Sequence, residues 1–161
     1  MHTINIREIR HQDDPDIARV IRAVLEEHNV PKTGTAYEDP ELDHMTAAYA
    51  NPRSVYFVLD MDGRVVGGAG IAPLRDGGSG VCELQKMYFL SEVRGRGFGA
   101  LMMEKCLAAA REFGFNTCYL ETMEYMGPAQ RLYLKSGFEY LQGPMGDTGH
   151  CACGVWMSRE L

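Results

Sequence analysis

No run of this chain approaches the apolar length that a membrane-spanning helix needs, and the N-terminal MHTINIREIR lacks the apolar core of a secretory leader. Basic residues are in the minority, 16 Lys and Arg against 22 Asp and Glu, for a net charge of −6. A surface of that sign offers no general platform for nucleic acid or an anionic membrane. The five cysteines contain no C-x-x-C pair and are odd in number, so neither a disulfide framework nor a zinc ribbon is expected. His150, Cys151 and Cys153 are the one local group of metal-ligating types, and their spacing supplies no second pair, so no metal is expected. There is no internal repeat, low-complexity tract or linker. These absences lead us to expect a cytoplasmic protein, and 161 residues that are 45% hydrophobic suffice for one domain spanning 1–161.

What is present is a regular alternation of short elements. Thr3 to Glu8 reads as a strand. Asp14-Pro15 opens a helix whose Ile17, Val20, Ile21, Val24 and Leu25 fall on one stripe. Asp39-Pro40 repeats that start for a shorter helix with Leu42, Met45 and Tyr49. Ser54 to Asp60 and Val65 to Ala72 are strands joined by an Asp62-Gly63 hairpin turn. A strand carrying Glu83 follows, then a helix bearing Met102, Cys106, Ala109 and Phe113, stopped by Gly114. Asn116 to Glu121, Pro128 to Lys135, Phe138 to Leu141 and Ala152 to Met157 complete the order as strand, helix, strand and strand.

Between the Glu83 strand and the long helix lies Arg94-Gly95-Arg96-Gly97-Phe98-Gly99-Ala100. Glycines let backbone approach a ligand, and the unpaired N–H groups that open a helix attract anionic oxygens. Arg94 and Arg96 would add positive charge. A glycine-rich turn by itself also fits other nucleotide sites or a simple chain reversal. This one has neither the G-x-G-x-x-G order of a dinucleotide fold nor the Lys-Ser or Lys-Thr of a P-loop.

Arg94-x-x-Gly97-x-Gly99 resembles the pyrophosphate-binding motif of the GCN5-related N-acetyltransferase (GNAT) superfamily. Ala129, Leu132, Tyr133, Lys135, Gly137 and Phe138 are similar to its second signature, A-x-x-L-Y-x-K-x-G-F. The resemblance covers nearly the whole chain and is most specific between Glu83 and Phe138. It implies an α/β fold of the α+β kind: a mixed, mostly antiparallel sheet of six to seven strands, flanked by about four helices and splayed at its central strands. It also implies an acyltransferase that moves an acetyl group from acetyl-coenzyme A to a primary amine of a small molecule or peptide. By resemblance, the pantetheine arm lies along the backbone of Met87, Tyr88 and Phe89, and Ala129 lies beside the cofactor. The family's usual asparagine before that alanine is replaced here by Met126. Superfamily members often dimerise, which leaves room for a homodimer.

Amine attack on a thioester needs a base and an acid. Tyr133 occupies the family's general-acid position; its other reading is a packed aromatic on an amphipathic helix. Glu83 falls where histone-acetylating relatives carry a glutamate base, and alternation places it with Gln85 and Met87 on one face of the strand. Burial would raise its pKa. It reads equally as a solvated edge residue, or a water chain replaces it. Met87 and Phe89 also read as core. His150 borders the acceptor side of this fold or is a surface loop residue. Tyr37, Glu38, Asp39, Glu41 and Asp43 either attract a cationic amine or cap helices. No cysteine holds a motif position, so transfer is expected to be direct, in a ternary complex. A non-catalytic acyl-coenzyme A sensor, a longer acyl group and a non-amine acceptor are the competing functions.

Overall fold

The computed structural model describes residues 1–124 and 126–161. Its strands are Ile4–Glu8 (β1), Val55–Met61 (β2), Arg64–Pro73 (β3), Val81–Phe89 (β4), Thr117–Thr122 (β5), Glu139–Leu141 (β6) and Val155–Glu160 (β7). Its α-helices are Asp14–Glu27 (α1), Met45–Ala48 (α2), Phe98–Glu112 (α3) and Gly127–Lys135 (α4). One sheet runs in the order β1-β2-β3-β4-β5-β7-β6, antiparallel except between β4 and β5. This is the mixed, mostly antiparallel sheet with four helices that the resemblance implies. Among the described residues no helix is long and apolar enough to cross a membrane.

The sheet is covered on both sides, which is why VYFVLDM in β2 is apolar at nearly every position instead of alternating. Phe57, Leu59 and Val66 pack with Met102, Met103 and Cys106 of α3 on one face. Tyr56, Val58 and Val65 pack with Ile17, Ile21, Val24 and Leu25 of α1 on the other. Cys82, Cys106 and Cys118 are buried free thiols, as small apolar residues would be. The Asp62-Gly63 turn has positive φ at both residues, 54° and 84°, as a tight hairpin requires.

Three local expectations shift. Asp14 lies inside α1, and its carboxylate instead accepts from the Thr46 N–H at 2.9 Å and the Thr46 hydroxyl at 2.6 Å, tying α2 to α1. The segment after Pro40 breaks into a 3-10 turn, Pro40–Asp43, and a single α-turn, because His44 adopts φ −135° and ψ 46°. The last strand begins at Val155 rather than Ala152, whose N–H donates to the Gly34 carbonyl at 3.0 Å.

The consequential departure is in β4. Gly68 pairs with Tyr88 but Gly70 pairs with Gln85, so Ala69 alone opposes Lys86 and Met87. This is a β-bulge, with Lys86 at φ 50°. It advances the alternation by one residue, so Met87 and Phe89 join the α3-side core whereas Glu83 and Gln85 face the α1 side. The expected sharing of one face by Glu83, Gln85 and Met87 is therefore corrected. Tyr56, fully buried, lies across β3, where a Cβ on Gly68 or on Gly70 would come within 2.6 Å of its ring. Its hydroxyl donates to the Lys86 carbonyl at 2.7 Å. Tyr56→Phe would leave that carbonyl without its partner, and a loss of about 1–3 kcal/mol is expected in chemical denaturation.

Candidate active site

β4 and β5 are paired only from Val81 to Glu83, opposite Thr117 to Tyr119. Beyond that point the strands diverge, leaving the β5-facing backbone of β4 without a strand partner among the described residues. Two cavities occupy the gap. The first is a cleft of about 870 Å³ of empty space, mouth included, between β4, the glycine-rich turn, α3 and α4. Met87, Tyr88, Phe89, Arg94, Gly95, Gly97, Phe98, Gly99 and Ala129 all line it, so the structure gathers most of the residues singled out by motif. Arg96 and Ala100 are outside its lining: the Arg96 guanidinium sits 5.4 Å from the Phe98 ring centre, and Ala100 is exposed.

Gly97 caps α3 at φ 85°, and among the described residues a Cβ placed on it would meet no atom beyond its chain neighbours within 4 Å. The amides of residues 98–100 open the helix without intrahelical acceptors, the geometry that receives an anion. Arg94 is not the free positive charge expected. Its guanidinium grips Glu27 of α1 at 2.5 and 3.0 Å, and its Nε donates to the Phe89 carbonyl at 2.9 Å. Arg94 thus fastens the turn to α1 and to the end of β4, its Nε occupying one lone pair of the Phe89 carbonyl.

The second cavity is reached past Met87, Tyr88 and Met126, which line both. Its walls include Glu83, Lys86, Glu121, Tyr133, His150 and Cys153. Glu83 is only 6% exposed, and burial, with a contribution from the nearby Glu121, pushes its carboxyl up to about 7. The Gln85 amide donates to Glu83 at 2.6 Å and accepts from the Tyr49 hydroxyl at 2.5 Å, which fixes the amide's orientation and the carboxylate's. Tyr133 is 7% exposed, its ring edge-on to Phe138 at 6.2 Å, and burial lifts its phenol to about 12. Tyr133 is thus a packed aromatic that also lines the cavity.

Lys86 places its ammonium, 3% exposed, 2.9 Å from Asp39 and 3.2 Å from Glu41. Burial would lower its pKa, but the two carboxylates outweigh that and hold it above the ordinary lysine value. Asp39 also receives His150 Nε2 at 2.9 Å. Burial opposes the charged imidazole, yet this carboxylate keeps the His150 pKa raised. Asp39 therefore joins the β4 bulge, the loop before α2 and the loop before β7, and His150 is a cavity residue and not a surface one. Of the other acidic and aromatic candidates, Asp43 pairs with Arg22 at 2.7 Å, and Tyr37 donates to Glu26 at 2.6 Å; like Asp39 and Glu41, neither lines the cavity itself. Lys86 and Glu121 were not singled out from the sequence, and Tyr49 was named only as part of a short helix. A lysine in an otherwise largely apolar strand was the available signal for Lys86; Glu121 depends on strand pairing, and Tyr49 on the docking of α2 against β4, neither of which a local pattern displays.

Comparison with known proteins agrees with this architecture. Residues 21–138 match the model of the family described as "Acetyltransferase (GNAT) family". An Escherichia coli K12 protein named uncharacterized N-acetyltransferase YjgM is 45% identical over 157 residues, covering 97% of this chain and 94% of that protein. A GNAT-family acetyltransferase structure from Staphylococcus aureus Mu50 superposes with a TM-score of 0.87 at 19% identity, covering 98% of this chain and 99% of that one. The PaiA N-acetyltransferase of Thermoplasma acidophilum, solved with coenzyme A, gives 0.77 at 14% identity, covering 99% of each chain. A splayed sheet with a helix N-terminus at its cleft, a family match spanning most of the elements and a full-length relative of the same kind show that this chain belongs to the GNAT acetyltransferase family and is an acyltransferase.

Proposed function

We propose that the protein transfers an acetyl group from acetyl-coenzyme A to a primary amine by direct attack in a ternary complex. The observation that carries this reading is the meeting of the two cavities at Met87, Tyr88 and Met126, one ending at the α3 N-terminus and the other at Glu83 and Tyr133. The coenzyme A complex of the similar Thermoplasma protein supports the choice of donor. Acetyl-coenzyme A supplies an activated thioester. Backbone amides 98–100 hold its pyrophosphate, the unpaired edge of β4 receives its pantetheine amides, and Ala129 leaves room beside it.

Glu83 takes the proton that the acceptor ammonium must lose, and Tyr133 donates a proton to the departing thiolate. A phenol near 12 remains fully protonated at physiological pH. Its mismatch with a thiol of about 8.5 narrows where burial raises the thiol pKa as well. The Cys153 thiol, which burial and nearby carboxylates push up to about 12, is a poor acyl carrier, and this favours direct transfer. The acceptor arrives between the Asp39 loop and the β7 loop. Titrating the protein with acetyl-coenzyme A, then following thiol release across a panel of amines, tests the assignment; binding with amine-dependent release is expected, and absence of binding would remove it.

The pH dependence is specific. Because Glu83 acts as its anion, kcat/KM is expected to fall tenfold per unit below about pH 7 and to level above it, with the limb lost in Glu83→Gln. Stability runs the opposite way. The folded state holds this proton up to about 7 against 4.5 for the free side chain, so stability is fullest below 4.5 and declines as pH rises through 7. The whole difference is about 3 kcal/mol. Glu83→Gln should therefore melt higher than wild type at pH 8 while turning over more slowly.

A further inference from the structure

Cys151 and Cys153, neighbours in sequence, separate in the fold. Cys151 is exposed beside Gly34, whereas Cys153 turns inward toward His150 and, from the facing strand β5, Glu121. One donor atom from each of Glu121, His150 and Cys153 lies within 4.8 Å of the other two. Metal bonds of about 2.0–2.3 Å at tetrahedral angles place donors roughly 3.5 Å apart, so modest side-chain rotation closes the set.

The three side chains are held as ligands usually are. Asp39 engages His150 Nε2 at 2.9 Å, leaving Nδ1 for an ion, the carboxylate-histidine arrangement that orients metal-binding imidazoles. The Thr148 hydroxyl donates to Glu121 Oε1 at 2.5 Å, and the Tyr119 hydroxyl donates to Oε2 at 2.6 Å, each leaving lone pairs of the carboxylate free. The donor-bearing loop is fixed at both ends: Ala152 N–H bonds to the Gly34 carbonyl at 3.0 Å, and His150 N–H bonds to the Thr148 hydroxyl at 3.2 Å.

The geometry points to a mononuclear site for a zinc-class divalent cation, bound by a Glu121 oxygen, a His150 nitrogen and the Cys153 sulfur, with its fourth position open. Mixed sulfur, nitrogen and oxygen donors favour zinc over magnesium or calcium. Glu121, His150 and Cys153 line both the acceptor cavity and a separate groove walled by Pro144 and Trp156, so the open position has access from two sides. Binding forms a metal–sulfur bond and releases the Cys153 proton to solvent, with no change of oxidation state. A cation here would hold a carboxylate or thiol of an acceptor molecule in the cavity that Glu83 also lines.

Cobalt(II) titration of chelator-treated protein tests the site without acetyl-coenzyme A or an acceptor, and so independently of the acetyl-transfer reading. One equivalent is expected to produce thiolate-to-cobalt charge-transfer absorption that one equivalent of zinc then displaces. Cys153→Ser should abolish that band, and His150→Ala and Glu121→Gln should each weaken binding by about tenfold or more, while Cys151→Ser leaves it unchanged. Circular dichroism of each variant confirms that it is folded. No charge-transfer band in the wild type, or a band that survives Cys153→Ser, would overturn the site. Asp39→Asn gives a second check, since weakening cobalt binding about tenfold with the band retained is the mark of an outer partner.

Discussion

Gly97→Phe is expected to remove measurable coenzyme A binding, by at least about 3 kcal/mol or roughly 100-fold, in a protein that still folds. Gly97 caps α3 at φ 85° and lines the cleft, and among the described residues no atom beyond its chain neighbours lies within 4 Å of the position a Cβ would take. The empty space protects the fold and exposes the ligand. A side chain there costs about 1–2 kcal/mol for a left-handed backbone. It also stands over the amides of residues 98–100, where two or more charge-assisted hydrogen bonds to a pyrophosphate would form. Calorimetric titration with coenzyme A, beside a melting curve, separates the two effects. Unchanged affinity in the variant would place the phosphates elsewhere.

Tyr133→Phe is expected to lower kcat by about 100-fold or more, with the dissociation constant for acetyl-coenzyme A within about twofold of wild type. The substitution removes one oxygen from a ring that is packed on Phe138, so packing is retained. Burial raises the phenol's pKa to about 12, so its proton is retained at physiological pH. If turnover survives in the variant, solvent protonates the thiolate and Tyr133 is a packing residue. A matched loss of affinity would instead mean that the hydroxyl binds the donor.

The two experiments also separate what was legible early from what was not. The glycine turn was readable from a local pattern, glycines at a helix start, whereas the roles expected of Tyr133 and Glu83 came only through the resemblance to a family signature, since a tyrosine on a short helix and a carboxylate on a strand announce no chemistry by themselves. Arg94 shows the limit. Its charge was read as free because nothing local announces that Glu27, 67 positions earlier, comes to meet it. Met87 shows another, since alternation predicts a face only while the ladder is regular, and the bulge at Lys86 reverses every side chain after it.

Sequence alone determined the order of elements, the apolar two-faced sheet and the glycine-rich helix start, because hydrophobic period and backbone freedom are properties of consecutive residues. The tertiary structure decided the rest. It turned β4 with a bulge seated on Tyr56, buried Glu83 until its carboxyl holds a proton up to about 7, and brought Lys86, Glu121 and His150 from three separate segments to one cavity, with Asp39 from a fourth bonded to Lys86 and His150. A pKa depends on how much water and which charges surround a group, and those neighbours are far apart along the chain. They become neighbours only when the sheet closes on one side against α1 and opens on the other between β4 and β5.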